Sequence, residues 1–229
     1  MKKQVLIIGL GRFGVSLATT FFNTGHDVLV IDIDEKRVQA VASQVTQAIR
    51  ADATDEAVLK ELGVSNFDVA IVTMGRSIQN NVLATLLLKE LGVRYVIARA
   101  ENDLHGSILA KIGADKVVYP EQETGTRVAH GVFLGSVKDY ISLAPGYGIF
   151  KLDARPSFVE QSLSELGLGR GGGAGLSVLL IMRGKDVIVT PDKSESIKEG
   201  DIMIVAGNDD RLEQFMARHE KDNRGKEKD

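Results

Sequence analysis

The chain has 229 residues, a formal net charge of −3 and 26% charged residues. This length suits one large or two small domains, and the absence of a basic stripe argues against a nucleic-acid partner. The chain contains no cysteine, which excludes disulfides and thiolate metal sites and fits a reducing cytoplasm. Because no segment approaches the roughly 20 apolar residues that a membrane-spanning helix needs, we expect a soluble protein.

The first 120 residues alternate apolar runs of strand length with segments of helical period, which is typical of parallel βαβ units. This pattern predicts an α/β fold with a Rossmann-like, doubly wound parallel sheet over residues 1–120. The predicted strands are Gln4–Ile8, Asp27–Ile31, Ala48–Arg50, Val69–Thr73, Tyr95–Ala98 and Lys116–Val118. The predicted helices are Arg12–Asn23, Glu35–Ser43, Asp55–Leu62, Ile78–Leu91 and Asp103–Ile112.

The first strand breaks into a glycine turn that opens the first helix, with the sequence Gly-Leu-Gly-Arg-Phe-Gly. Gly9 makes the turn, Gly11 allows phosphates to approach the backbone, and Gly14 allows the helix to pack on the strand. The start of a helix carries about half a positive charge and unpaired N–H donors, so a diphosphate fits there. Asp32, at the end of the second strand, can accept hydrogen bonds from ribose hydroxyls and would repel a 2′-phosphate. These features predict an adenine nucleotide site.

Other residues fall at the carboxyl ends of predicted parallel strands, where ligands of such sheets bind. Asp52 follows the third strand, and Met74 and Gly75 follow the fourth. We therefore expect these residues to surround the same nucleotide as Asp32.

The pattern changes after residue 120. A helix from Glu121 to Ile141 is predicted, and its wide apolar face is expected to cross to a second subunit, although it could pack on its own domain. We expect a linker helix at 121–147, a small α+β lobe at 148–218 and a disordered charged tail at 219–229. The lobe's predicted strands are Gly148–Leu152, Ser177–Met182, Asp186–Thr190 and Asp201–Val205, and its predicted helices are Phe158–Leu166 and Asp209–Arg218.

The sequence offers few candidate catalytic residues. The four histidines are scattered, and only His105, at a predicted helix start, could approach the nucleotide. There is no nucleophile elbow, Walker lysine or His/Cys cluster. Glu121 and Glu123 could contribute oxygen ligands for a divalent cation, or they could simply favour a helix start. We therefore predict a non-enzyme in which the nucleotide is an effector; an NAD-dependent oxidoreductase and a free-standing NAD(H) sensor are the alternatives.

The order of these motifs resembles the RCK (KTN) domains of cytosolic Ktr/Trk-type subunits, which regulate bacterial potassium uptake. The resemblance spans roughly residues 3–217 and rests on more than the glycine turn. Its other motifs are Asp32, the Ala-Asp-Ala-Thr run at 51–54, the segments 111–115 and 119–121, and Gly200-Asp201 in the short second lobe.

The resemblance implies that the first lobe binds ATP or ADP, or alternatively NAD(H). It places the glycines at the phosphates, Asp32 at the ribose, and Arg12 at the terminal phosphate across a dimer interface. It also implies a divalent cation, Mg²⁺ or Ca²⁺, on Glu121 at that interface. The full candidate nucleotide site is Gly9, Gly11, Arg12, Phe13, Gly14, Asp32, Asp34, Asp52, Ala53, Thr54, Met74, Gly75 and Arg99.

The resemblance also implies partners. Dimers of such chains assemble into an octameric ring beneath a KtrB/TrkH-like membrane subunit that translocates K⁺, so we expect a cytoplasmic protein held at the inner face of the membrane. In this family the second lobe can bind cyclic di-AMP. The glycine-rich run Gly167–Gly175 departs from the family's usual charged loop, and a flexible connector is favoured there over an anion-binding loop.

Overall fold

The computed structural model describes residues 2–75, 77–133, 137–168 and 173–225, without the side chains of 130–133 and 220–225. The chain divides into two compact units, Met1–Glu121 and Gln122–Asp229. Within the described residues, no helix is long and apolar enough to cross a membrane.

The first unit is a six-stranded parallel sheet in the order β3-β2-β1-β4-β5-β6, which confirms the predicted doubly wound α/β fold. Its strands are β1 (Gln4–Ile8), β2 (Asp27–Asp32), β3 (Gln47–Arg50), β4 (Val69–Val72), β5 (Val96–Arg99) and β6 (Lys116–Val118). Its helices are α1 (Arg12–Asn23), α2 (Glu35–Val41), α3 (Glu56–Glu61), α4 (Ile78–Glu90) and α5 (Asp103–Lys111).

Both faces of this sheet are covered, which is why its central strands are apolar runs without alternation. One buried cluster includes Ile7 and Val30 and packs under α1 and α2. The other includes Leu6 and Leu88 and packs under α3, α4 and α5. Strands β2 and β3 lie on one side of β1, and β4 to β6 lie on the other. The switch in strand order between β1 and β4 leaves a crevice at the carboxyl ends of the strands.

The second unit packs its C-terminal helix against a five-stranded antiparallel sheet, β10-β9-β11-β8-β7, and confirms the predicted small α+β lobe. Its buried core is rich in aromatic side chains, among them Phe150, Phe158 and Phe215. A two-residue turn, Gly184-Lys185, joins β9 to β10. The elements after residue 119 are α6 (Pro120–Phe133), β7 (Val137–Ala144), β8 (Tyr147–Asp153), β9 (Leu176–Arg183), β10 (Asp186–Val189), β11 (Ile202–Asn208) and α7 (Asp209–Gly225).

The predicted helix from Glu121 to Ile141 is wrong beyond Phe133, because the chain forms strand β7 there. Val137 and Tyr140 are both buried, and their three-residue spacing resembles a helical period. A register shift between Val137 and Asp139 in the pairing with β8 places these two side chains on one face of the sheet. The segment 121–147 is therefore a helix followed by a strand, not one linker helix.

The predicted helix Phe158–Leu166 is also wrong. Only a short 3-10 turn forms, at Pro156–Phe158, and Glu160 then adopts a left-handed φ of 66°. The backbone N–H groups of Glu160 and Leu163 donate to the carbonyls of Ile197 and Glu195. Pairing with a distant segment takes the hydrogen bonds that a helix would have used.

The predicted disordered tail is wrong for residues 219–225, which continue α7, whereas residues 226–229 lie outside the described part. The ring of His219 packs on Phe215 and Phe158, with centroid separations of 4.5 and 5.3 Å. This aromatic contact packs His219, the first residue beyond the predicted end of the helix, onto the core of the second unit. In the glycine-rich run Gly167–Gly175, residues 169–172 lie outside the described part.

Candidate functional site

A cleft of about 860 Å³ opens at the carboxyl ends of the parallel strands of the first unit. The predicted residues that line it are Gly9, Gly11, Arg12, Phe13, Asp32, Asp34, Asp52, Ala53, Met74, Gly75, Arg99 and Glu121. Gly14 and Thr54 do not line it but support residues that do. The lining residues that the sequence prediction missed are Ile8, Leu10, Ile33, Arg37, Ala51, Thr73, Ser77 and Asn80.

The glycine turn leaves the start of α1 open to this cleft. Gly9 has a left-handed φ of 100° and donates its N–H to the carbonyl of Ile31 at 2.8 Å. Gly11 is the residue that caps α1, but it offers no side-chain acceptor, and no acid lies in the first turn. By contrast, Asp34 caps α2 and accepts the N–H of Lys36. The first N–H groups of α1 are therefore available to an anionic ligand.

Gly14 is required by packing. A Cβ at this position would collide with the carbonyl oxygen of Gly9 and would lie 2.7 Å from the Oγ1 of Thr73. That hydroxyl donates to the same Gly9 carbonyl at 2.6 Å. The third glycine thus lets α1 approach the strand closely enough to aim its N–H groups at the cleft.

Asp32 is held rigidly at the end of β2. Its carboxylate accepts the N–H of Leu10 at 2.6 Å and the N–H of Asp34 at 2.9 Å, and its residue is 8% exposed. Two backbone donors orient the carboxylate toward the cleft and leave acceptor capacity for a ribose hydroxyl.

Arg37 lies beside this carboxylate and was not predicted. Its guanidinium lies 3.5 Å from both Asp32 and Asp34. The sequence spacing could have predicted Arg37, because a residue three positions after Asp34, which caps α2, lies on the same side of the helix as that acid. Together the three side chains carry a net negative charge, which disfavours a 2′-phosphate at this end of the cleft.

The loop after β3 contributes Asp52 and Ala53. Asp52 accepts hydrogen bonds from the hydroxyl and the N–H of Thr54, and both bonds lower the pKa of its carboxyl group. Thr54 therefore stabilises the conformation of this loop, because its hydroxyl donates its hydrogen bond to Asp52. Ala53 is buried and forms part of the cleft wall.

The opposite wall is built by the ends of β4 and β5. Asn81, fully buried on α4, donates through Nδ2 to the carbonyls of Met74 at 2.7 Å and Arg99 at 3.0 Å. The guanidinium of Arg99 forms two hydrogen bonds to Glu121, at 2.7 and 3.3 Å. The carboxylate of Glu121 is therefore paired with the guanidinium of Arg99.

Arg12 is the exposed first residue of α1. Within the described residues it has no hydrogen-bond or ion-pair partner, so its guanidinium is free to meet a phosphate.

Two further expectations concern His105 and a metal. His105 is 2% exposed and does not line the cleft; its Nδ1 accepts the N–H of Glu101. Burial is the main cause that lowers its pKa, so the neutral ring is favoured. The described residues contain no group of three or more His, Cys, Asp or Glu side chains that could hold a metal ion. Glu121 alone does not form such a site within one chain.

The fold and the cleft define a Rossmann-type nucleotide-binding protein with a second, antiparallel lobe. Known families match both parts: the TrkA-N domain matches residues 5–120, and the TrkA-C domain matches residues 149–219. The chain belongs to this TrkA-N/TrkA-C (RCK) family of potassium uptake proteins, as the motifs had indicated.

Individual relatives agree with this assignment. The chain is 40% identical to Ktr system potassium uptake protein C of Bacillus subtilis, covering 95% of this chain and 98% of the relative. It is 37% identical to Ktr system potassium uptake protein A of the same organism, covering 93% and 95%. The solved structure of the GsuK channel bound to NAD matches with a TM-score of 0.52 and 23% identity, covering 95% of this chain and 39% of that one. At this identity the match supports the fold alone.

Proposed function

We propose that this protein is the nucleotide-sensing regulatory subunit of a bacterial potassium uptake system. ATP or ADP binds in the cleft of the first unit and sets the conductance of a membrane subunit. The observation that carries this proposal is the correspondence with Ktr system proteins over almost the whole of both chains. The cleft supports this proposal, because the start of α1 has no side-chain cap and Asp32, the candidate ribose ligand, is held by a backbone hydrogen bond.

A regulatory use of the nucleotide is favoured over an NAD-dependent oxidoreductase or a free-standing NAD(H) sensor. Both relatives described above are named for potassium uptake. The cation Arg12 at the start of α1 suits recognition of the third (γ) phosphate, which ATP has and ADP lacks. A ligand changes a two-state assembly only by its different affinity for the two states, and such a phosphate would supply that difference.

The finer parts of the proposal rest on the family resemblance. Two chains pair through the nucleotide lobes, four pairs form an octameric ring, and the ring docks on a KtrB/TrkH-like subunit at the inner face of the membrane. A divalent cation on Glu121 would need further oxygen ligands, from a second chain or from the nucleotide phosphates, and displacement of Arg99 from the carboxylate. Cyclic di-AMP would bind the second lobe.

The test uses the full chain, purified without added nucleotide. The proposal predicts that ATP and ADP each bind with one site per chain in a calorimetric titration, and that light scattering gives the mass of a ring of about eight chains. Potassium uptake by vesicles containing the membrane subunit should depend on the added chain and differ between ATP and ADP. A dimer that turns over NADH with a carbonyl substrate would contradict the proposal.

A further inference from the structure

Asn81 is a fully buried polar side chain on α4, behind the wall of the cleft. Its backbone N–H donates to the carbonyl of Ser77 at 3.0 Å, so the start of the helix fixes its position. Asparagine is a poor helix former, and burying its amide without hydrogen bonds is costly. Bonds made by the side chain must therefore offset both costs.

The amide of Asn81 joins two segments of the chain. Its Nδ2 donates to the carbonyl of Met74, in the loop after β4, and to the carbonyl of Arg99, the last residue of β5. Carbonyl oxygens only accept, so the amide atom between them must be the nitrogen, and both of its N–H donors are used. Serine has a single donor and an ionised aspartate has none, so neither can replace this double bond.

The bond to Met74 also sets the direction of the next N–H group. The peptide bond between Met74 and Gly75 is trans, so its N–H points opposite to its carbonyl. Because the carbonyl faces Asn81, the Gly75 N–H faces away from α4. Within the described residues this N–H has no acceptor, and Gly75 lines the cleft.

The loop after β4 is packed tightly on both sides. A Cβ on Gly9 would lie 3.0 Å from the Cγ of Met74 and 3.2 Å from its backbone nitrogen, so Met74 touches the glycine turn. On the other side, the guanidinium of Arg99 covers Gly75, where any Cβ would collide with Nη1. A shift of the Met74 carbonyl would therefore disturb the glycine turn and the Arg99 side chain together.

We infer that Asn81 is a positioning residue of the nucleotide cleft. It touches no ligand itself, since it does not line the cleft, but its amide holds Met74, Gly75 and Arg99 in the arrangement that receives the nucleotide. A wall that is fixed before binding spares the ligand the cost of ordering it. This role rests on the proposed function, because it requires a nucleotide in this cleft.

The test measures ATP and ADP affinities of the full-length wild type and Asn81→Leu by calorimetry. Leucine keeps the number and branching of the heavy atoms but has no donor. The variant should bind both nucleotides about tenfold or more weakly and by a similar factor, because both carbonyls lose their donor. Hydrogen exchange followed by mass spectrometry should be faster in peptides that contain Met74 and Gly75, while circular dichroism shows a folded chain.

A pH profile of Asn81→Asp provides a second readout, which stands even if the leucine variant does not fold. At pH 8 the new carboxylate repels both carbonyls and should weaken binding about tenfold or more. Burial favours the protonated form of such a group as the pH falls, and its O–H can then donate to one carbonyl. At pH 6 the loss should shrink to a few-fold. The wild type, measured at each pH, corrects for the titration of other groups and of the phosphates.

Two buried residues of the same helix serve as controls. Thr85 lies one turn after Asn81, and its hydroxyl has no partner within the described residues, so Thr85→Val should keep both affinities. Leu88 lies in the apolar core, so Leu88→Ala should lower the urea midpoint of unfolding and still bind nucleotide as the wild type does.

Unchanged affinities in both Asn81 variants would overturn the positioning role. So would an Asn81→Asp deficit that is the same at pH 6 and pH 8, or a loss in Leu88→Ala as large as that in Asn81→Leu, which would trace the effect to stability alone. If the wild type binds neither nucleotide, the proposed function fails, and the positioning role with it. Wild-type binding with unaltered variants overturns the positioning role alone.

Discussion

The Oγ1 of Thr73 donates a hydrogen bond to the carbonyl oxygen of Gly9 at 2.6 Å and so ties the end of β4 to the glycine turn after β1. Thr73 is buried, so loss of its hydroxyl would leave that carbonyl without this donor. Thr73→Val, which keeps the shape of the side chain, should lower the free energy of unfolding by about 1–2 kcal/mol. Urea unfolding followed by circular dichroism measures this loss.

The control for this variant is Thr20→Val. The Thr20 hydroxyl donates to the carbonyl of Ser16 on the exposed side of α1, so its removal should have little effect. Equal midpoints for Thr73→Val and the wild type would mean that the bond to Gly9 contributes nothing to stability.

Gly11 and Gly14 should respond to the same substitution in opposite ways. A Cβ at Gly14 collides with the Gly9 carbonyl, so Gly14→Ala should destabilise the first unit and abolish nucleotide binding. A Cβ at Gly11 meets nothing within 4 Å, and its φ of −71° suits alanine. Gly11→Ala should therefore keep the melting temperature of the wild type.

Gly11→Ala should nevertheless weaken ATP and ADP binding about tenfold or more, because its methyl group occupies the approach of the phosphates. Calorimetry and thermal melts of the two variants separate binding from folding. Unchanged affinity in Gly11→Ala would place the phosphates elsewhere than at the start of α1.

Arg12→Ala should leave stability unchanged, because the exposed Arg12 side chain has no partner within the described residues. ADP affinity should stay within about twofold, since ADP lacks the phosphate that the guanidinium would bind. Potassium flux in reconstituted vesicles should then become nearly equal with ATP and with ADP. If the variant kept the full difference between the two nucleotides, Arg12 would not report the terminal phosphate.

The first unit could be predicted from sequence because its signals are local. The glycine turn, the acid Asp34 that caps α2 and the continuous apolar strands each act within a few residues. The prediction of the second unit was wrong where the backbone pairs with residues that are distant in sequence. Tyr140 faces the core because a bulge shifts β7 against β8, and Leu163 bonds to the carbonyl of Glu195, thirty-two positions away along the printed sequence.

The same distinction applies to the cleft. Asp32 and Arg12 stand inside a motif, so their positions in the cleft could be predicted. Thr73 and Asn81 act through partners brought together by the sheet, such as Gly9 and Arg99. The Arg99–Glu121 pair likewise depends on the register of β5 beside β6, which leads into α6. Only the folded sheet reveals these contacts.

The buried ion pair of Arg183 and Asp201 should make the second unit sensitive to acid. Arg183 forms two hydrogen bonds to Asp201, at 2.9 and 2.8 Å, and the carboxylate side chain has no exposed surface. Burial raises the pKa of Asp201, but the hydrogen bonds from Arg183 and from the Lys198 N–H lower it by more, so its pKa lies below the ordinary value. The ionised carboxylate is therefore favoured in the folded state.

A lowered folded-state pKa means that this stabilisation is complete above the unfolded-state pKa of about 3.9 and is lost as the pH falls through the folded-state value. Asp201→Asn removes the charge-assisted hydrogen bonds to Asp201, while Glu195 and the carbonyl of Ser196 still contact Arg183, and it should cost about 2 kcal/mol at pH 7. The difference between wild type and variant should shrink as the pH falls below about 4. Urea unfolding from pH 7 to pH 3 measures it, with Asp186→Asn as an exposed control. A difference that stays constant over this range would show that the charge of Asp201 does not carry the stabilisation.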